Sequence, residues 1–319
     1  MMQRCFKGGK RMSSGVFRKK NYKVNQLSTG WNLFFSLIVI FVAFCAVMPV
    51  VLVISISLSS AKSIALGGYS FIPKEWSLEA YKAIADMAGS FGRSYMMTIF
   101  YTVTNVVLGL FLMSMFAYVL ARKDFVYRRQ LSFFIFASTL FSGGLVANYI
   151  LRTRILDIEN TIWVFIIPGA IQVFDIIILR SFAQTTIPDA LYDSAKIDGA
   201  GDFQIYFKIV LPLFKAGLAT IGLFNVVEKW NDWNTAVLYA QDAKLVPVMT
   251  VLHRIQENMN YLKSSDFAGS QEAMEQLATI PSESTRMAIS IIAILPLMVM
   301  YPFFQKYFVR GMTVGSVKG

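Results

Sequence analysis

Three stretches of this chain carry no charged side chain at all: 31–58 over 28 residues, 94–120 over 27 and 131–151 over 21. A helix needs about 20 apolar residues to cross the hydrocarbon core of a bilayer. Three more stretches come close. Residues 161–182 are apolar apart from Asp175 and Arg180, 213–239 carry Lys215, Glu228, Lys229 and Asp232, and 287–308 are apolar until Lys306. Together they predict an all-α, polytopic membrane bundle of six transmembrane helices, the first kinked at Pro49. Barrel strands alternate and are far shorter, which excludes a β-barrel. A soluble chain with 55% hydrophobic and only 15% charged residues would expose large apolar patches. Two cysteines, Cys5 and Cys45, make no disulfide framework.

Charge placement orients the bundle. The net charge is +11, and residues 1–30 hold eight Lys/Arg and no Asp or Glu. A basic tail ahead of an apolar span reads as a cytoplasmic anchor drawn to anionic lipid, not as a nucleic-acid arm. Both its basic and its apolar regions are too long for a cleavable signal peptide. The 121–130 loop holds Arg122, Lys123, Arg128 and Arg129 against Asp124, whereas 152–160 is balanced. Both termini, 121–130 and the loop 184–212 are therefore expected inside, with 59–93 and 240–286 outside. The expected division is a basic tail (1–30), a permease domain (31–310) and a C-terminal tail (311–319).

Catalytic patterns are missing. There is no G-x-x-x-x-G-K-[ST], so no P-loop of the chain's own. No Cys pair has metal spacing, and the single His253 has no partner at helical spacing. The expectation is a chain that moves or binds something, with no catalytic residues, metal or cofactor.

The segment 184–212 is the most informative. Thr185 or Thr186 is expected to cap a helix whose first turn holds Pro188 and Asp189. Ile187, Leu191 and Ala195 fall four apart and share a face, and Ser194 and Ala195 permit close approach. Gly199 is placed to end the helix in the left-handed region. Asp202 is expected to cap a second helix over 203–210. The acids Asp189, Asp193, Asp198 and Asp202 would face an anionic leaflet unfavourably, so the segment favours a protein partner over the membrane surface.

Asp193-Ser194-Ala195-Lys196-Ile197-Asp198-Gly199-Ala200 followed by Ile209-Val210-Leu211-Pro212 resembles the EAA–G–I-LP signature of bacterial ABC-importer permeases. Ala117 to Arg122, Phe141-Ser142-Gly143-Gly144-Leu145, Trp230-Asn231-Asp232-Trp233 and the closing GMTVGSVKG resemble the carbohydrate-uptake (MalG-like) permeases, in their LplC/YtcP-like oligosaccharide branch. The similarity runs from about residue 31 to the C-terminus. Two departures stand out: Asp193-Ser194-Ala195 replaces Glu-Ala-Ala, and Val146 stands where the family has proline after Gly144-Leu145.

The resemblance implies a MetI-like permease fold in a bacterial plasma membrane. It implies a second homologous permease, two cytoplasmic ATP-binding subunits and an extracytoplasmic solute-binding lipoprotein that delivers an oligosaccharide. Ile187, Leu191, Asp193, Ser194, Ala195, Asp198 and Gly199 become the expected ATPase-coupling residues, with residues 309–319 as a second contact. In the fifth span, Asn225, Glu228, Asp232 and Thr235 recur every three or four residues, flanked by Asn231 and Trp233. That stripe is the expected substrate pathway, with an interfacial belt as the other reading. Met249, Leu252, Ile255 and Met259 suggest an amphipathic helix after Pro247. An ion-coupled secondary transporter is the competing function; such proteins often carry inverted repeats, and none is evident here.

Overall fold

The computed structural model describes residues 29–262 and 282–315. Residues 1–28, residues 263–281 and the last four residues lie outside that description, and so do the expectations placed on them. The chain divides into a unit ending at Val50 and a larger one beginning at Val51. The described part of the first, 29–50, is continuous helix. It belongs to α1 (Thr29–Ser57), which contains Pro49.

The larger unit holds the rest. After α1, α2 (Ala61–Gly67) and α3 (Glu79–Asp86) lead into α4 (Ala88–Ala121). The next elements are α5 (Arg128–Leu140), α6 (Gly144–Ile150) with a π-turn at Leu151–Ile155, α7 (Trp163–Ile166) and α8 (Val173–Thr186). Then come α9 (Asp189–Ile197), α10 (Asp202–Ile205), a π-turn (Tyr206–Val210), α11 (Leu211–Leu213) and α12 (Lys215–Trp230). The chain continues with α13 (Asn234–Tyr239), α14 (Val248–Leu262) and α15 (Glu283–Gly315).

Six spans were expected, the first kinked at Pro49, and the structure is more broken than that. Among the described residues three helices are long and apolar enough to span a membrane, and two bent pairs can each count as one more. The third expected span bends by 115° between α5 and the α6 helix, where Gly144 takes φ +73°. The fifth bends by 73° between 213 and 215. Pro212 there has no N–H to give and its ring crowds the carbonyl of Lys208 one turn back, and the π-turn ahead of it already loosens the ladder. The fourth is split: Pro168 and Gly169 stop α7, and α8 begins only at Val173.

The central helix is α4, which packs against α8 and α12, while α12 also packs on α15. Small residues make this possible. A Cβ added at Gly109 would lie 2.4 Å from the carbonyl oxygen of Ala170, so only glycine lets the broken backbone come this close. That backbone at membrane depth must be satisfied by protein. Asn105 of α4 does so, donating to the carbonyls of Ile166 (2.8 Å) and Phe165 (3.2 Å).

Candidate functional site

Two regions lie where sequence reasoning placed function: the helix–turn–helix after α8, and a polar layer where α12 meets the break before α8.

The first begins at Asp189, with Pro188 as the N-cap residue and no side-chain cap. Thr185, expected as a cap, instead ends α8, donating back to the carbonyls of Phe182 (3.0 Å) and Ser181 (3.2 Å). Gly199 takes φ +78°. Around it the N–H of Ala200 donates to Ala195 (2.9 Å) and that of Gly199 to Lys196 (3.0 Å), which closes the helix end. Asp202 does not cap α10: Gly201 holds that position.

The apolar stripe of α9 faces the opposite way from the expected docking face. Ile187 (3% exposed) and Ala195 (8%) are buried in the permease's own core with Leu179, Ala183 and Tyr206, and Leu191 packs against them. An isolated amphipathic pattern shows that a face is covered, not by what; here α4 and α8 cover it. The outward face carries Ala190, Asp193, Ser194 and Ile197, and Ile197 is 86% exposed. Asp198 and Gly199 are exposed at the turn.

The basic 121–130 loop grips this unit. Arg122 donates Nε to Asp124 Oδ1 (2.9 Å), Nη1 to the Tyr118 hydroxyl (2.9 Å) and to Asp202, and Nη2 to Asp124 Oδ2 (2.5 Å). Lys196 also meets Asp124, and Lys123 pairs with Asp189 at 2.6 Å. Hydrogen bonds from Arg122, then Lys196, hold the Asp124 carboxyl well below the usual carboxylate range. The same Asp124 contact raises the Arg122 guanidinium. Two of the four acids read as partner-facing, Asp189 and Asp202, are thus spent inside the chain. The signal was present as opposite charge in two loops, but charge alone does not say which loops meet. Tyr192 is buried beside this network with its hydroxyl unpartnered, and burial pushes it up to about 12.

The second region does not form one helical stripe. α12 ends at Trp230 and a new helix starts at Asn234, so the expected set divides. Asp232 serves as a local cap, accepting from the Thr235 N–H (3.0 Å) and hydroxyl (2.6 Å). Asn225 is buried and faces Asp175 of α8. Trp230 is buried and its Nε1–H donates to the Ala293 carbonyl at 2.8 Å, tying α12 to α15. Glu228, Asn231 and Trp233 remain exposed, with Trp233 stacked on His253 at 3.7 Å between ring centroids.

Sequence reasoning missed Lys229 as a structural centre. Only 9% of it is exposed. Its ammonium meets Glu228 Oε1 at 3.0 Å, and Glu228 Oε2 accepts from Gln172 Nε2 at 2.7 Å. A Cβ at Gly169 would lie 2.5 Å from Lys229 Nζ, and Tyr101 donates to the Lys229 carbonyl. A cation at this depth needs such partners.

Residues 85–314 match the family described as binding-protein-dependent transport system inner membrane component. The polygalacturonan/rhamnogalacturonan transport system permease protein YtcP of Bacillus subtilis is 36% identical, over 94% of this chain and all of its own length. Protein LplC of the same organism is 35% identical, over 86% of this chain and 90% of its own. A crystal structure of a bacterial ABC transporter involved in the import of the acidic polysaccharide alginate contains a chain with TM-score 0.74 and 28% identity, over 89% of this chain and 99% of that one. Helical bundle, broken spans and the 189–210 unit therefore sit in a chain that belongs to the family of inner-membrane permease components of binding-protein-dependent ABC transport systems.

Proposed function

We propose that the chain imports a sugar, in oligosaccharide form, as one of two homologous permeases whose shared pathway is driven by two separate cytoplasmic ATP-binding subunits. It has no ATPase site of its own in this reading. An extracytoplasmic solute-binding lipoprotein delivers the sugar, and both chain termini are cytoplasmic. The polygalacturonan/rhamnogalacturonan transport system to which YtcP belongs and the alginate importer support the sugar class.

The observation that carries the coupling role is the two-faced α9. Its inner face is locked into the permease by Ile187, Leu191 and Ala195, so motion of α9 moves α4 and α8 with it. Its outer face offers Asp193, Ser194 and the bare side chain of Ile197 to an ATPase, with Asp198 and Gly199 setting its end. For the pathway, the proposed contacts are Glu228, Asn231 and Trp233, with Asn225, Asp232 and Thr235 holding the frame around them.

The test is Ile197→Asp. Ile197 is 86% exposed, so the variant should express and melt like wild type. It should lose the co-purifying ATPase and ATP-driven uptake by about tenfold or more, as expected for charging the centre of an interface. In parallel, Glu228→Gln should lower uptake while ATPase co-purification stays intact. Wild-type uptake and co-purification in Ile197→Asp would reject α9 as the coupling element.

A further inference from the structure

At the end of α4 opposite to the Arg122 network lies a cavity of about 290 Å³ that the transport reading does not use. It is enclosed by the first two turns of α4, the 243–246 turn, α14 and α15. Most of its wall is apolar, including Phe91, Val251 and Ile289, with the Ser90 hydroxyl among the polar groups. Two arginines, Arg93 and Arg254, line it from different helices. Neither meets a carboxylate at ion-pair distance among the described residues. By contrast Arg122 and Arg286 each have acidic partners.

The depth of the cavity follows from the sequence. Arg93 immediately precedes the 27-residue uncharged run of α4, so it stands where the hydrocarbon core gives way to headgroups. Two guanidinium groups with no internal counter-charge favour a phosphate, which accepts their paired N–H donors. An apolar wall directly beside them suits an acyl chain more than the hydroxyl-covered surface of a glycan. We infer that this cavity binds an anionic phospholipid, its phosphodiester held by Arg93 and Arg254 and its glycerol–acyl region by Phe91, Val251 and Ile289.

The site sits between α4, which also carries the coupling network, and α14 and α15. A bound lipid thus steadies the end of α4 far from the coupling turn, about 50 Å away for a helix of this length.

The experiment uses the full-length chain, extracted with its co-purifying subunits and placed in nanodiscs of phosphatidylcholine with or without phosphatidylglycerol. Native mass spectrometry reads the phospholipid retained per permease. Wild type should retain phosphatidylglycerol selectively, and Arg93→Gln with Arg254→Gln should reduce retention about tenfold or more, tenfold being the loss of one charge-assisted hydrogen bond at the low end of its range. The Lys/Lys pair of variants should retain most of it. Val251→Trp, which fills the cavity and changes no charge, should also abolish retention, so a folding defect of the Gln pair does not decide the matter. Equal retention by wild type, the Gln pair and Val251→Trp overturns the site. Thermal protection in detergent by glycerol phosphate alone would assign it to a soluble phosphate, and protection by trigalacturonate would assign it to a uronate; either result overturns the lipid.

Discussion

The break at 167–172 and the turn at 198–201 both interrupt a helix, and both depend on glycine, for opposite reasons. At the break the glycines are needed for space: a Cβ on Gly109 would meet the Ala170 carbonyl oxygen at 2.4 Å, and one on Gly169 would meet the Lys229 ammonium. At the turn the glycine is needed for conformation: Gly199 has φ +78° and nothing within 4 Å of where a Cβ would stand. The surroundings explain the contrast. Inside the bundle the freed carbonyls of Phe165 and Ile166 are met by Asn105, and the Gln172 N–H points at the Met113 sulfur. At the turn the chain satisfies itself through Ala200 and Gly199, and solvent does the rest. A buried interruption therefore recruits neighbours, and an exposed one does not.

The largest expected effect comes from removing the space. Gly109→Val should cost about 3 kcal/mol, the upper range for overpacking a close contact, because the Ala170 backbone cannot rotate away as a side chain can. Gly109→Ala should already cost a large part of that. The check is the thermal midpoint and yield of the purified transporter. If both variants melt like wild type, the close approach of α4 to the break is not real.

At the turn the effect should be smaller on stability and larger on function. Gly199→Ala adds only backbone strain, about 1 kcal/mol, and Gly199→Val somewhat more because a β-branched residue tolerates positive φ worst. The midpoint should fall modestly, while ATP-driven uptake falls severalfold, because the re-aimed chain pulls on α9 and on Asp202 beside Arg122. The comparison breaks if Gly199→Val loses more stability than Gly109→Val.

The two regions also differed in what could be read before the structure. Helical class, the left-handed Gly199 and the amphipathic α14 follow from local rules, because each depends on residues within a few positions. What covers a face does not. Ala195 and Leu191 read as a docking surface because they are apolar and aligned, yet the same pattern serves a helix packed on α4 and α8. Asp232 read as a pathway carboxylate because spacing placed it below Glu228 on an unbroken helix, and the break after Trp230 turned it into a cap. Lys229 went unread because its burial is set by Gly169, Glu228 and Gln172, the first and last of which lie more than fifty residues away in the chain. Membrane spans interrupted by Pro-Gly or Gly-Gly are where period counting fails, since the apolar content continues through the bend.

The smallest expected effect tests whether the 189–210 unit is as self-sufficient as its turn. Tyr192 lies on the buried side of α9, next to the Tyr118 ring and the Arg122 network, its hydroxyl buried without a partner. Burial, then the neighbouring Tyr118, raises it to about 12, above the value of about 10 for an unfolded chain. A group whose folded value is raised contributes stability that is complete below the unfolded value and is lost as pH climbs through the folded one. The unit should therefore loosen between about pH 10 and pH 12 as the unfolded chain ionises more readily than the folded one. Tyr192→Phe keeps the ring packing and deletes the orphan hydroxyl, so it should be neutral or stabilising by about 0.5 kcal/mol near neutral pH. It should also flatten the alkaline fall in thermal midpoint. A clear destabilisation at neutral pH would mean that the hydroxyl has a partner, adding to the hold that the 121–130 loop already has on this unit through Arg122, Lys123 and Asp124.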